Sequence, residues 1–257
     1  MKVDKDIDLN PIEHNQTVCS ECSIRHLTLF QGVKEEDLSW TSEYRSNQFT
    51  VAARKEILSE LEPSEYMFTL YHGWVAMYKT LNTGKRQILR IALPGDILGF
   101  QSDLIAPMTH SAVTLSDVVL CAFPRAKMPE LLRRNLCVAK RLSELNSRDM
   151  NICQNRLMTI GQQSAIERIA FLCSELYFRV KSIYGSVQDD EMFFPLSQED
   201  IGDATGLTKI HVNRTLKALR EQEFLEVTSK HLKIHDIEGL CELGNFAPSI
   251  VNVHSLY

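Results

Sequence analysis

The stretch that most constrains this chain runs from Leu196 to Arg220 and reads LSQEDIGDATGLTKIHVNRTLKALR. Apolar residues recur at helical spacing on both sides of Thr205-Gly206-Leu207, where the glycine is free to adopt the positive φ of a sharp turn. Ser197, followed by Asp200 three residues later, has capping-box spacing, and Thr208 is a good N-cap for a second helix. The stretch therefore predicts two short helices joined by a tight turn.

The second predicted helix has two different faces. Its apolar residues are expected to face inward, together with the inner face of the first helix, and they are Val212, Leu216, Leu219, Ile201 and Ala204. The opposite face carries Lys209, Ile210, Asn213, Arg214 and Lys217. Arginine can bond guanine with two hydrogen bonds, asparagine can bond adenine, and lysine can meet phosphate. Such a helix has the side chains needed to read a DNA major groove.

Local charge and the following segment support this interpretation. Between Thr205 and Lys233 six lysines and arginines stand against three glutamates, which gives about +3 in a chain of net charge −5. Phe224-Leu-Glu-Val, Thr228-Ser-Lys-His and Leu232-Lys-Ile are typical of strand, turn and strand. A hairpin placed after two such helices forms a wing that touches the DNA backbone. The alternative, a surface helix hairpin with a solvated polar face, explains neither feature.

These segments resemble the DNA-binding module of the Crp–Fnr family of bacterial transcription regulators. The resemblance rests on Ile201-Gly-Asp-Ala-Thr-Gly-Leu-Thr, His211-Val-Asn-Arg-Thr-Leu and Phe224-Leu-Glu-Val, and it extends over most of the chain. It implies an α+β fold with an N-terminal double-stranded β-helix (jelly-roll) sensor domain, a long dimerisation helix and a C-terminal winged helix-turn-helix. It also implies a homodimer that binds a palindromic promoter site in double-stranded DNA and is not an enzyme.

The sequence pattern divides the chain into five parts. Short β-rich segments separated by turns between Phe49 and Phe123 predict a small antiparallel barrel or jelly roll. The predicted parts are a flexible tail (1–18), the sensor domain (19–126), the dimerisation helix (127–160), the winged helix-turn-helix (161–237) and a C-terminal tail (238–257).

The resemblance assigns DNA contacts to individual positions. Base reading falls to Asn213 and Arg214, and phosphate contacts come from the helix ends and the wing. The complete predicted set is Ser197, Gln198, Thr208, Lys209, Ile210, His211, Asn213, Arg214, Lys217, Ser229 and Lys230. Fnr-type members carry Glu where Ile210 stands. Because isoleucine cannot accept a hydrogen bond from cytosine, the half-site is expected to differ at that base or to be read there through a thymine methyl group.

Three cysteines form a candidate metal or redox site. Cys19 and Cys22 have a spacing that can place two thiolates on one metal or cluster. Fnr-type members carry a cysteine cluster here and a distant cysteine before a proline, and Cys121 in VVLCAFP stands at that distant position. The resemblance thus implies an iron–sulfur cluster. The remaining N-terminal ligand is missing, however, and His26 is the nearby donor. Three alternatives stay open: a cluster with an unusual fourth ligand or fewer irons, thiol redox sensing, or control by abundance.

Cyclic AMP is not expected to bind. Members that bind it use a Glu after the turn for the ribose and an Arg-Ser pair for the phosphate. Here Gly99 is followed by Phe100-Gln101-Ser102, and Ser111 is preceded by His110. A buried phosphate without an arginine partner is poorly held. Haem bound through His72 or His110 is a further alternative.

The predicted helix from Lys127 to Ile160, which is expected to begin with a short helix near Pro129, carries a heptad seam. The seam residues are Leu136, Ala139, Ser143, Asn146, Met150, Cys153, Leu157 and Ile160. A second stripe of Val138, Leu142 and Leu145 is expected to pack on the helix's own barrel. The two stripes predict a helix that contacts its own domain on one side and a twin helix on the other.

Composition sets the remaining expectations. The polar, acidic start and the lack of a long apolar run predict a cytoplasmic protein without a membrane partner, and an odd seven cysteines argue against a disulfide framework. The family's usual mode implies contact with RNA polymerase, for which the exposed turn Thr83-Gly84-Lys85 is the candidate surface. The alternative from another class is a redox- or haem-sensing β-barrel that acts through protein partners without binding DNA.

Overall fold

The computed structural model describes residues 9–12, 16–38, 44–103 and 105–251. The chain forms two compact units. The first comprises Met1–Lys79 and Ile91–Ser143, and the second comprises Thr80–Arg90 and Glu144–Tyr257. The short segment Thr80–Arg90 therefore belongs with the C-terminal unit, although the sequence places it inside the predicted sensor domain.

Antiparallel sheets form the N-terminal half, as the sequence predicts. A five-stranded sheet has the order β1-β2-β9-β4-β7 and a four-stranded sheet the order β3-β8-β5-β6. Between them lies a core that includes Val51, Ile57, Phe68, Leu70 and Leu120, each at most 2% exposed. The strands are β1 Asn10–Pro11, β2 Asn47–Val51, β3 Glu56–Leu58, β4 Tyr66–His72, β5 Val75–Thr80, β6 Arg86–Ala92, β7 Ile97–Leu98, β8 Ser111–Thr114 and β9 Val118–Pro124.

The first residues differ in part from the expected flexible tail. Asn10 pairs with Thr50 and Pro11 with Phe49, so β1 extends the edge of the five-stranded sheet. Residues 1–8 and 13–15 of the predicted tail lie outside the described residues. Such a pairing over some forty positions leaves no local signal in the sequence.

The helical part begins with two helices where the sequence predicts mainly one. Helix α1 (Met128–Arg134) is separated from helix α2 (Leu136–Gln162) by Asn135, whose backbone is extended at φ −137° and ψ 109°. The side-chain oxygen of Asn135 accepts hydrogen bonds from the backbone N–H groups of Cys137 (2.9 Å) and Val138 (3.3 Å). Asn135 is therefore the N-cap of α2, and this cap ends the predicted continuity from Lys127.

The C-terminal unit is built around helix α3. It is buried on several sides, with Ile169, Leu172 and Leu176 at most 3% exposed. Glu167 accepts a hydrogen bond from the backbone N–H of Ser164 (2.6 Å), so α3 also begins with a capping box. The remaining elements are α3 Ala165–Tyr184, β10 Glu191–Phe193, α4 Gln198–Thr205, α5 Lys209–Glu221, β11 Leu225–Thr228, β12 His231–Ile234 and α6 Ile237–Gly244.

Residues beyond 238, expected as a tail, contribute to the core of this unit. Helix α6 is followed by Phe246 and Val251, which pack with Ile152 and Phe171 and are 5% and 7% exposed. The rings of Phe171 and Phe246 meet edge to face, with centroids 5.5 Å apart. Residues 252–257 lie outside the described part of the chain.

A buried ion-pair triad joins α2 to α3. Arg156 binds Glu175 at 2.7 Å, and Arg179 binds the other oxygen of the same carboxylate at 3.3 Å. Burial opposes ionisation of Glu175, but the two arginines outweigh it and the pKa of Glu175 is lowered. The charged carboxylate is thus held between α2 and α3. Among the helices that the structure describes, none is both long and apolar enough to span a membrane.

Candidate nucleic-acid interface

Helix α4 begins with the predicted capping box. The Ser197 hydroxyl accepts the backbone N–H of Asp200 at 3.1 Å, and the Asp200 carboxylate accepts the backbone N–H of Ser197 at 2.9 Å. Ile201 and Ala204 are buried, as predicted, at 1% and 4% exposure. Local sequence alone therefore fixes where this helix starts and which side it buries.

Two glycines shape the turn after α4. Gly206 ends the helix in the left-handed conformation at φ 70°, as predicted for the turn. Gly202, inside the helix, lies so close to the returning chain that a Cβ there would meet the carbonyl oxygen of Leu207 at 2.6 Å. The role of Gly202 was not predicted, although a glycine within a helical pattern is a signal of close backbone approach.

Helix α5 starts at the predicted cap and has the predicted faces. The Thr208 hydroxyl accepts the backbone N–H of His211 at 3.3 Å. Val212 and Leu219 are fully buried, and Leu216 is half-buried. Thr215, which the sequence did not assign to the inner face, is also buried.

The outer face of α5 is the exposed basic surface that the sequence predicts. Its side chains are Lys209, Ile210, His211, Asn213, Arg214 and Lys217, all exposed. Lys209 lies 3.8 Å from Glu199 and Lys217 lies 3.6 Å from Glu221. Exposed pairs of this kind contribute about 0–1 kcal/mol, so they do not hold the cations away from a phosphate.

The wing is a three-stranded sheet of order β10-β12-β11. Thr228 pairs with His231, which leaves Ser229 and Lys230 as a two-residue turn with φ of 44° and 71°. Positive φ at both positions is the geometry of a type I′ hairpin, which asparagine and glycine usually occupy. Ser229 and Lys230 are both exposed at the tip. Of the predicted phosphate contacts at the start of α4, Ser197 is exposed and Gln198 is half-buried.

An arginine from outside the two helices holds their junction. Arg168 of α3 donates one hydrogen bond to the carbonyl of Gln163 (2.9 Å) and another to the carbonyl of Thr205 (3.2 Å), the last residue of α4. This residue was not predicted, because nothing in the nearby sequence indicates that a side chain of α3 reaches α4 some forty positions later.

Helix α2 has the two predicted stripes. Val138, Leu142 and Leu145 are buried at 7% exposure or less. On the seam, Leu136 is 82%, Met150 60% and Leu157 73% exposed, unusually high for apolar side chains. Ser143, Asn146 and Cys153 are also exposed, and Ala139 and Ile160 are half-buried. The predicted dimer face is thus an apolar stripe open to solvent in the single chain.

The three predicted cysteines line one pocket in the first unit. Cys19, Cys22 and Cys121 share it with Arg45 and Gln48. The Gln48 amide donates a hydrogen bond to the Cys121 sulfur at 3.3 Å. Burial raises the pKa of Cys22 and of Cys121, so these thiols stay protonated at neutral pH.

The donor set of this pocket falls short of a four-ligand cluster. Its lining contains three cysteines and neither histidine nor carboxylate, and His26 is exposed. Within the described residues there is no group of three or more His, Cys, Asp or Glu arranged to hold a metal ion. An iron–sulfur cubane takes four ligands, so the donors that the structure describes at this pocket do not fit one.

The two stretches that the resemblance compares with a cyclic-nucleotide site make hydrogen bonds to the protein backbone. The Ser111 hydroxyl accepts the backbone N–H of Glu60 at 2.9 Å. The Gln101 amide donates to the carbonyls of Ala106 (2.9 Å) and Pro107 (3.1 Å) and ties its own loop. Both side chains serve local backbone structure.

Comparisons with known proteins match both halves of the chain. Residues 48–135 match the family described as cyclic nucleotide-binding domain, and residues 167–243 match the Crp-like helix-turn-helix domain. The nitrogen fixation regulation protein FixK of Bradyrhizobium diazoefficiens is 26% identical over 225 residues, which covers 88% of this chain and 93% of FixK. The transcriptional activator protein FnrL of Cereibacter sphaeroides is 25% identical over 230 residues, which covers 87% of this chain and 90% of FnrL. The solved structure of FixK2 from Bradyrhizobium japonicum has a TM-score of 0.66 and 27% identity, and it covers 76% of this chain and 96% of that one.

An antiparallel sheet domain, a long helix and a winged helix-turn-helix with an exposed basic helix together define a DNA-binding transcription regulator rather than an enzyme. With both domain matches in this order, the chain belongs to the Crp–Fnr family.

Proposed function

We propose that this regulator acts as a homodimer on a palindromic promoter site. Two copies of α5 occupy successive major grooves about 34 Å apart. The observation that carries this proposal is the outer face of α5, where Asn213 and Arg214 are exposed while Val212 and Leu219 of the same helix are buried. Helix α5 is held by its apolar side and presents its amide and guanidinium groups outward.

Roles follow from chemistry and position on this face. Arg214 suits a guanine and Asn213 an adenine, and Lys209, Ile210 and His211 set the remaining specificity. Ile210 is 65% exposed, which makes its side chain available for a thymine methyl group. Ser197, Gln198, Lys217 and the wing residues Ser229 and Lys230 meet phosphates and fix the register.

The experiment is selection from random duplexes followed by a gel shift. Purified full-length protein is expected to enrich an inverted repeat and to shift it as a single complex at about 1,000-fold or more lower concentration than an unrelated duplex, within the about 10³–10⁷ range of specific binders. Failure to enrich any sequence supports the alternative of a sensor that acts through protein partners.

The second copy of the chain is the proposed occupant of the apolar stripe on α2. Leu136, Met150 and Leu157 recur at heptad spacing along one side of a 27-residue helix. Exposed side chains at this spacing bury one another when two such helices pair in parallel. The polar seam residues Ser143 and Asn146 weaken the pairing of the two helices. A weaker pairing suits a dimer whose association is regulated.

The proposed input is redox chemistry at the cysteine pocket. Cys19, Cys22 and Cys121 meet in one place although a hundred positions separate Cys22 from Cys121. Because the donors do not complete a cluster site, thiol oxidation is proposed in place of a cubane. The raised pKa of Cys22 and Cys121 makes this oxidation slow, since the thiolate is the reactive form. Cyclic AMP is not proposed as an input, because Phe100-Gln101-Ser102 contains no Glu and His110, not Arg, precedes Ser111.

Anaerobic purification with iron, sulfide and visible-spectrum analysis tests this input. We expect a colourless, iron-free protein whose operator affinity changes on oxidation of its thiols. A brown, iron- and sulfide-containing protein supports the cluster alternative. A colourless protein that binds DNA equally well before and after oxidation supports control by abundance.

RNA polymerase is the proposed second partner. The turn Thr83-Gly84-Lys85 is exposed at the tip of the β5–β6 hairpin, as a protein contact requires. Substitution of Lys85 is expected to lower transcription activation and to leave operator affinity unchanged. Equal activation by wild type and variant moves the contact elsewhere.

A further inference from the structure

Helix α4 is too short to hold its own position. It has eight residues, fewer than the ~12–15 at which isolated helices become even marginally stable. Its N-terminus is closed by its own capping box, but the carbonyls of its last turn need outside partners. Where these partners come from decides how firmly α5, which follows after a three-residue turn, is aimed.

Strand β6 supplies much of what α4 lacks. The Arg86 guanidinium bridges two carboxylates on α4, with 2.7 Å from Nε to Asp203 and 3.0 Å from Nη2 to Asp200. The Asp200 side chain is 1% exposed, so its charge is compensated inside the fold. Gln87 adds a hydrogen bond of 2.7 Å to the main-chain carbonyl of Asp203, in the last turn of the helix.

The same short segment is also attached to α2. The carbonyl of Leu89 accepts a hydrogen bond of 3.2 Å from Arg156, the arginine of the buried triad. Arg90 forms an ion pair with Asp149 of α2. Residues 86–90 therefore form a strap, bound to α2 at one end and to α4 at the other, all within the second compact unit.

We propose that Arg86 is a positioning residue for DNA recognition, which fixes α4 and thereby sets the direction of α5 relative to α2. This inference rests on the proposed function, because α2 is the proposed dimer axis and a strap between α2 and α4 then controls the distance between the two recognition helices. Arg86 itself makes no DNA contact, since its guanidinium is directed at Asp200 and Asp203.

The test compares Arg86→Ala with Lys85→Ala in the full-length protein. Both remove one positive charge, and Lys85 is the exposed neighbour on the same hairpin. Affinity is measured for the selected palindrome, for the same half-sites with the spacer one base pair longer or shorter, and for an unrelated duplex over a range of salt.

We expect Arg86→Ala to lose about tenfold in affinity for the palindrome, as for loss of a charged hydrogen bond. Its preference for one spacer is expected to flatten, while its affinity for unrelated duplex and its salt slope stay unchanged. Arg86→Lys is expected to recover only part of the loss, because an ammonium group cannot bridge two carboxylates as a guanidinium fork does. Lys85→Ala is expected to match wild type in its affinity for each of these duplexes, because the contact proposed for Lys85 is with RNA polymerase and not with DNA.

Three results overturn the proposal. Wild-type affinity and spacer preference in Arg86→Ala show that the strap does not aim α5. A salt slope lowered by about one shows that Arg86 meets a phosphate itself. Tighter binding of the palindrome by Arg86→Ala shows that the strap holds α5 in an unfavourable orientation for DNA binding.

Two further measurements test the proposal if Arg86→Ala does not fold or if the wild-type protein does not bind DNA. If Arg86→Ala does not fold, Asp203→Asn removes the exposed half of the bridge and is measured in the same way. If wild type binds no duplex, the proposed function fails. Amide hydrogen exchange of α4 still tests whether Arg86 of the strap stabilises this helix. Faster exchange in residues 198–205 of Arg86→Ala supports it, and unchanged exchange overturns it.

Discussion

At the scale of single residues, Arg214 is the side chain on which the proposed specific recognition depends most. Arg214→Ala is expected to cost about 1–3 kcal/mol of binding free energy and to relax specificity at one base pair. The loss should be small on a duplex in which that base is already changed. Gel-shift titration on the two duplexes measures both effects.

The matched control is Arg220→Ala, which removes the same charge from the last turn of α5. Arg220 is exposed and lies 3.9 Å from Glu226. Its removal is expected to weaken binding slightly and equally on all sequences. Equal effects of the two substitutions contradict the assignment of base reading to Arg214.

Glu175 is the residue on which the stability of the second unit depends most. Glu175→Gln leaves Arg156 and Arg179 buried without their counter-charge, and breaking such a pair costs about 3–5 kcal/mol. Because the pKa of Glu175 is lower in the folded state, its stabilisation is present above the unfolded pKa of about 4.3 and is lost as pH falls through the folded value.

Urea unfolding of wild type and Glu175→Gln at pH 7 and at pH 3 measures this. The difference in unfolding free energy is expected to be large at pH 7 and to shrink at pH 3. A difference that stays constant with pH rules out the charge of Glu175 as the cause.

Residues with local partners could be predicted from sequence, and residues with distant partners could not. Ser197 and Thr208 were identified as caps because each bonds an N–H three residues away. Arg168 bonds a carbonyl 37 positions away and Arg86 a carboxylate 117 positions away. Nothing in a side chain's own neighbourhood in the sequence indicates such partners.

At the scale of elements, the wing turn places the charge of Lys230 at its tip but lowers the stability of the fold. Ser229 and Lys230 both adopt positive φ, which costs a residue with a Cβ about 1–2 kcal/mol. Lys230→Gly is therefore expected to raise the unfolding free energy by ~1 kcal/mol and to lower the salt slope of DNA binding by about one.

Lys233→Ala provides the comparison, since it removes an exposed lysine from strand β12 without changing a left-handed residue. Thermal melting and binding at several salt concentrations are measured on both variants. A Lys230→Gly protein that is less stable than wild type contradicts the strain argument, and an unchanged salt slope removes the wing tip from the DNA contact.

Periodicity predicted the elements better than it predicted their ends. The two stripes of α2 and the buried face of α5 follow from helical spacing, which depends only on neighbouring residues. The sequence predicted a short helix near Pro129 but not the break at Asn135, because asparagine at a cap and asparagine within a helix look alike in sequence. The burial of Phe246 and Val251 was missed, because tertiary packing decides it.

At the scale of the whole molecule, we propose that two chains assemble through the seam of α2. Leu157→Glu places a charge on a side chain that is 73% exposed in the single chain and buried in the proposed dimer. We expect a stable, folded monomer that has lost operator binding, because charged residues are excluded from the seam positions of a coiled coil. Sedimentation velocity measures the mass.

Ser147→Glu is the control, since Ser147 is exposed on the same helix but off the seam. This variant is expected to sediment as wild type. Dimers of equal strength in both variants contradict the proposed interface, and monomers in both show that any added charge on α2 is enough to separate the chains.

We propose that two copies of α5 together bind one two-fold symmetric site. Hydroxyl-radical footprinting on the selected duplex tests this most directly. The prediction is two protected patches related by two-fold symmetry, with centres one helical turn apart, about 10–10.5 base pairs. Arg214→Ala should weaken both patches equally. A single patch, or protection that does not depend on sequence, contradicts the account.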